Sequence, residues 1–176
     1  MAVGQRVDPV GSYNFVIRLQ ESSSAIALVA LKIGTPAQGG FSECSGLEMS
    51  MPPEEYREGG RNDTVLKFPS RVSWSNIRLR RGVVVSNDLW DWHYAFVEGR
   101  GKRRDGTITL QNDLHEPVRV WRFTRGLPVK WSGPVMNATQ SQVAIEELEI
   151  AHEGLKMVSS GVAGVMAGIG PALGVG

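Results

Sequence analysis

Along most of this chain apolar residues alternate with polar ones at a period of two, in short runs cut every few residues by glycine or proline. That spacing belongs to strands and tight turns, and it predicts a mainly β, antiparallel domain. In residues 13–19, Tyr13, Phe15, Ile17 and Leu19 fall on one side and Asn14, Val16 and Arg18 on the other, the pattern of a half-buried strand. Further short segments cover residues 54–58, 64–68 and 74–82, with breaks at Pro52-Pro53, Gly59-Gly60 and Pro69. Within residues 75–81, Ile77 and Leu79 mark a core side, whereas Asn76, Arg78 and Arg80 mark a solvated, basic one. Thr107 to Leu110 alternates again, and turns are expected at Asn112-Asp113 with Pro117 and at Gly126 with Pro128. Two segments fit either regular structure. Residues 25–33 suit a buried strand or a short helix, and residues 142–153 suit a helix stripe of Ala144, Leu148, Ala151 and Leu155 or a strand changing phase at Glu146-Glu147, as at a bulge.

One segment departs from the period of two. From Ser86 or Asn87 to Glu98, Leu89, Trp92, His93 and Phe96 recur at helical spacing, with Trp90 and Val97 widening the stripe. Asp88 and Asp91 stand in the first turn, where the helix dipole favours carboxylates, and Gly99 supplies the stop. A single helix docking on sheet through Leu89, Trp92 and Phe96 is the expectation.

Composition narrows the function classes. With 176 residues, 41% of them apolar, the chain suits one domain with a core of its own. The net charge of +1 is spread evenly over both halves, so neither half is a nucleic-acid arm. The lone Cys44 rules out an intrachain disulfide and multi-cysteine metal motifs, and with Glu43 beside it a packed, unreactive thiol is expected. Residues 1–9 contain no apolar run of the kind a secretory signal needs, so assembly in the cytoplasm is expected. His93, His115 and His152 lie in different elements without ligand spacing, so no metal and no cofactor is expected. The run Gly99-Arg100-Gly101-Lys102 lacks a phosphate loop's first glycine and its Ser or Thr, Phe96 and Arg103 standing there instead. No catalytic pair emerges. Arg100, Lys102, Arg103 and Arg104, with Arg71, Arg78, Arg80 and Arg81, form local basic density without interleaved aromatics. Solvated turns or contacts to acidic neighbours are expected there, with a nucleic-acid-binding β-domain as the rival from another class.

The order of motifs carries a resemblance. Tyr13-Asn14-Phe15, then Gly40-Phe41-Ser42-Glu43-Cys44-Ser45-Gly46-Leu47, then Glu54-Glu55-Tyr56-Arg57-Glu58-Gly59-Gly60 resembles the opening of tail tube proteins of contractile phage tails and phage-derived contractile injection systems. The likeness continues in Leu79-Arg80-Arg81-Gly82-Val83, Leu89-Trp90-Asp91-Trp92, Pro128-Val129-Lys130-Trp131-Ser132-Gly133-Pro134 and the run from Val143 to Leu155. It implies a small β-barrel or two packed antiparallel sheets flanked by one helix, with residues 142–153 a strand. It also implies a non-enzymatic subunit whose six copies close into a ring, the rings stacking into a hollow tube driven by a sheath. Implied partners are further copies, sheath, baseplate and tape-measure proteins and cargo in the lumen, with membrane contact only on injection. Arg100, Lys102, Arg103 and Arg104 would then be ring or lumen contacts.

Two features depart from that family pattern. Residues 21–38 are longer than the expected link after the first strand. The tube-like domain is expected over residues 1–156, followed by an uncharged Gly- and Ala-rich tail, 157–176, read as a mobile or ring-contacting segment in preference to a membrane span.

Overall fold

The computed structural model describes residues 9–22, 40–57 and 64–158. Its strands are β1 (Phe15–Glu21), β2 (Phe41–Ser45), β3 (Met49–Ser50), β4 (Pro53–Tyr56), β5 (Leu66–Pro69), β6 (Ser73–Trp74), β7 (Ile77–Gly82), β8 (Arg104–Gln111), β9 (Pro117–Ser132), β10 (Ile145–Ala151) and β11 (Gly154–Val158). One helix, α1 (Asp88–Val97), follows β7. The main sheet runs in the order β1-β8-β9-β10-β7-β2, with β11 also paired to β9, and its ladders are antiparallel. Among the described residues the fold is therefore mainly β with antiparallel sheets and one helix, as the sequence predicts.

The long strand β9 joins two layers. Its first half pairs with β8 and β11, and its second half pairs with β10. A turn was expected at Gly126 and Pro128, yet the strand runs straight through both. Arg125 takes a left-handed φ of 53°, and the bend is absorbed as an irregularity. Gly126 is required beside it, because a Cβ there would lie 2.8 Å from the Arg104 carbonyl oxygen. The layers meet in one core, with Ile17, Ile108, Phe123 and Leu155 from the first and Ile77, Leu79, Leu148 and Ile150 from the second. At the ends of the strand order, β1 and β2 share no ladder among the described residues.

Other boundaries shift for local reasons. Tyr13 precedes β1 and is 69% exposed, its hydroxyl donating to Asp113 in the β8–β9 turn. The expected turn before Pro117 is present and places His115 at a φ of 60°. Residues 142–153 contain a strand, β10, and the phase change expected at Glu146-Glu147 is absent. Glu146, Leu148 and Ile150 all point inward in unbroken alternation, and the slip falls at Glu149/Ile150, where β9 carries the extra residue. Strand β11 runs to Val158, two residues past the expected domain end. The undecided segment 25–33, the break at Gly59-Gly60 and the tail from residue 159 on lie outside the described residues.

The segments between β2 and β7 form an arm. Strands β3 and β6 pair near the body and β4 and β5 pair beyond them, as two-stranded ribbons separate from the main sheet. Pro53 lies opposite Pro69, which a ribbon tolerates because each of its strands has a free edge. At the arm's root Gly46 has a φ of 86°, and a Cβ there would sit 2.0 Å from the Asn76 carbonyl oxygen, so the close approach of the two limbs requires glycine.

The helix closes as its sequence indicates. Gly99 takes a φ of 76°, and the Arg100 N–H returns to the Ala95 carbonyl at 2.9 Å, tying off the last turn. Leu89 and Trp92 are buried, and Phe96 packs half-buried against the core. Trp90 and Val97, expected to widen this face, are instead 41% and 66% exposed. Trp90 stacks on Tyr94 and meets Trp131 edge-on at 4.6 Å, an aromatic cluster that joins the core's margin through Trp131.

Candidate functional site

The basic turn is held by neighbouring acids. Arg100 pairs with Glu98 at 2.5 Å, Lys102 with Glu21 at 3.1 Å and Arg103 with Glu153 at 3.0 Å, all at the surface. Arg104 is the first residue of β8 and turns inward, its guanidinium 4.8 Å from the centre of the Trp92 ring. Burial lowers the pKa of Arg104, against the pull of Asp88 and Glu21. The four residues are thus neighbours in sequence with two different settings. Three pair at the surface and one braces the helix.

The basic side of β7 is likewise neutralised. Arg80 lies between Glu43 of β2 at 2.8 Å and Glu147 of β10 at 3.6 Å, and Arg78 approaches Glu149 at 3.7 Å. Register produces this, since Arg80 stands across from both Glu147 and Glu43, and Arg78 from Glu149. The strongly basic face expected from β7 alone becomes a charge-balanced sheet surface once its neighbours are in place.

The most enclosed polar group is one that strand-by-strand reading misses. Arg81 is 1% exposed; its Nε donates to Glu146 at 2.6 Å and its Nη2 to Asp88 at 2.7 Å. The second oxygen of Glu146 accepts from the Trp131 indole at 3.1 Å. Burial works against the Arg81 charge, but its bonds to Asp88 and Glu146 outweigh it and raise its pKa. The network ties β7, β9, β10 and the start of α1 together, so Asp88 serves Arg81 as well as the helix dipole. Its signal in the sequence is parity. Arg81 shares the side of Ile77 and Leu79, and Glu146 that of Leu148 and Ile150, which places opposite charges on two core-facing patterns.

No cluster of three His, Cys, Asp or Glu side chains suited to holding a metal ion assembles among the described residues. His93 is on the helix, His115 in the β8–β9 turn, and His152 shares a hydrogen bond of 3.1 Å with the Ser75 carbonyl at the root of the arm. Cys44 is half-buried on β2, and burial first, then the charge of Glu43, push its thiol up to about 11. At pH 8 Cys44 should therefore react with a soluble thiol reagent at least about tenfold more slowly in the folded protein than in urea. Equal rates would mean that the thiol is not packed.

Among the described residues, strands β1, β2 and β11 each pair on one side only, which leaves backbone donors and acceptors at the sheet margins for further pairing. The arm exposes Met49, Met51, Tyr56, Leu66, Phe68 and Val72, an apolar concentration unusual for an isolated soluble domain. Both features fit self-association. No helix among the described residues is long and apolar enough to cross a membrane.

Comparison with known proteins identifies the family. A family model described as the T4-like virus tail tube protein gp19 matches residues 14–156. A chain in the cryo-EM structure of the anti-feeding prophage baseplate is 25% identical with a TM-score of 0.74, over 88% of this chain and 99% of that one. A chain in the sheath-tube complex of the extracellular contractile injection system PVC, in its extended state, is 26% identical with a TM-score of 0.70, over 86% of this chain and 92% of that one. An Hcp protein shares the fold at a TM-score of 0.53 and 9% identity, over 85% of this chain and 94% of that one. No curated protein matches the sequence significantly.

Proposed function

This chain belongs to the T4-like tail tube protein family, and from that premise we propose that it is an inner-tube subunit of a contractile injection system or phage tail. Six copies close into a ring, rings stack into a hollow tube, and a surrounding sheath drives the tube forward on contraction. The observation that carries this reading is the likeness, over nearly the whole length of both chains, to a chain of a sheath-tube complex. The open margins of β1, β2 and β11 support it, because cyclic closure satisfies edges that a monomer leaves exposed. Structural work of this kind requires no catalytic group. Arg100, Lys102 and Arg103 lie at a ring surface or the lumen in this reading, with partners among sheath, baseplate and tape-measure proteins and the cargo. Assembly takes place in the cytoplasm, and a membrane is met only on injection.

A second reading, a tube-initiator ring at the baseplate, is favoured by the likeness to a baseplate chain. Electron microscopy of the purified protein, alone and mixed with sheath or baseplate components, separates the readings. Long tubes are expected of a main-tube subunit, and single rings that form only on a baseplate of an initiator. A monomer at high concentration that enters no ring with any partner would refute both.

A further inference from the structure

The two layers of the main sheet present unlike outer faces. On the outer side of the layer β1-β8-β9-β11, register aligns Val16, Thr109, Val120 and Val158 in one row, and Arg18, Thr107, Arg122 and Lys156 in the next. Arg18 and Lys156 are exposed and have no ionic partner among the described residues. Arg122 pairs at 3.5 Å with Oδ2 of Asp105, whose Oδ1 accepts from the Ser22 hydroxyl and the Arg125 N–H, so the free charge of this row is that of Arg18 and Lys156. The other layer's outer face instead sets Glu43, Glu147 and Glu149 against Arg80, Arg78 and Lys130 in adjoining strands, a balanced pattern. Only the first layer is left cationic, beside a row of β-branched residues and without an aromatic ring in either row to stack a nucleic-acid base.

The far end of the arm carries the complementary pattern. Pairing of Glu54 with Phe68 and of Tyr56 with Leu66 sets these four side chains on one face of the β4–β5 ribbon. Glu55 and Lys67 take the opposite face and approach each other at 3.8 Å. On the first face Tyr56 and Phe68 meet edge-on at 6.5 Å, yet remain 57% and 50% exposed. Glu54 is exposed and has no ionic partner among the described residues.

We propose that this acidic, apolar face of the arm docks on the cationic outer layer of a second copy. Glu54 meets Arg18 and Lys156, which flank the Arg122–Asp105 pair, while Tyr56, Leu66 and Phe68 cover the row of Val16, Val120 and Val158. The proposal rests on the tube reading and names the surfaces through which copies meet. Charge complementarity selects the occupant. A polyanion such as nucleic acid would use the cations and leave the valine row uncovered, whereas the arm matches both rows. Within one chain Tyr56, Leu66, Phe68, Arg18 and Lys156 are exposed and the valine row is half-buried, which leaves both faces open to a second copy.

The test is reciprocal charge reversal in the full chain. Glu54→Lys alone, and Arg18→Glu with Lys156→Glu, should each raise the protein concentration needed for rings or tubes by about tenfold or more, read by sedimentation and electron microscopy. The triple variant should return to within about threefold of the unmodified chain, since the charges again oppose. Melting curves of the unassembled variants confirm that each is folded. Normal assembly of folded Glu54→Lys would overturn this docking and leave the tube reading standing, as would a triple variant no better than its parents. Assembly unaffected by Arg18→Glu with Lys156→Glu, together with lost binding of a single-stranded oligonucleotide, would overturn it in favour of nucleic acid. Failure of the unmodified chain to assemble with any partner would instead remove the tube reading on which it rests.

Discussion

Replacing Arg81 with Met is expected to destabilise the folded subunit by about 3–5 kcal/mol, because removing one partner of a buried ion pair strands the other. A domain's entire stability is about 5–15 kcal/mol, so the loss is large, and at this chain length it corresponds to a melting temperature lower by roughly 6–20 °C. Glu146 is the partner left behind, its side chain 8% exposed and with only the Trp131 indole still bonded to it. Asp88 suffers less, since its side chain is 38% exposed and water can replace the lost contact. The double change Arg81→Met with Glu146→Leu should then recover most of the loss, because a packed apolar pair avoids the cost of burying charge. Thermal melts of the two variants check this. A double variant no more stable than the single one would mean that the network contributes through geometry that methionine and leucine cannot reproduce.

Trp92→Ala should be comparably damaging, at about 3–5 kcal/mol, the usual effect of deleting a large buried aromatic. Trp92 is 3% exposed and makes two specific contacts besides its packing. Its indole N–H donates to the Lys102 carbonyl at 2.9 Å, and the Arg104 guanidinium lies over its ring. Trp92→Phe keeps much of the apolar bulk and loses the hydrogen bond, so it should cost less, about 1–3 kcal/mol. The expected order of melting temperatures is therefore unmodified chain, Trp92→Phe, Trp92→Ala. If Trp92→Ala melts with the unmodified chain, the helix does not dock through this face. If the two variants melt together below it, the indole bond to the turn carries the effect and the ring's volume does not.

The sequence by itself determined what depends on near neighbours. Alternation in Phe15, Ile17 and Leu19 fixed the inward side of β1, and the spacing of Leu89, Trp92 and Phe96 fixed the docking side of α1. Gly99 fixed that helix's end, because the left-handed backbone it adopts is costly for other residues. These outcomes follow from steric and periodic rules acting within a few residues. The order of motifs likewise carried the family, which the match over residues 14–156 bears out.

Tertiary structure decided what depends on strands far apart in the chain. Gly126 and Pro128 look like a turn in isolation, but pairing of β9 with β8, β10 and β11 holds them in one strand. The arginines of β7 looked like a cationic face until register set Glu43, Glu147 and Glu149 beside them. The change of phase expected at Glu146-Glu147 arose because a carboxylate at a core-facing position imitates a break in alternation. Its partner Arg81 lies 65 residues earlier, and the two charges tolerate burial only because the folded sheet brings them within hydrogen-bonding distance. Opposite charges attract according to their separation in space and the dielectric around them, and neither quantity is written in the local sequence.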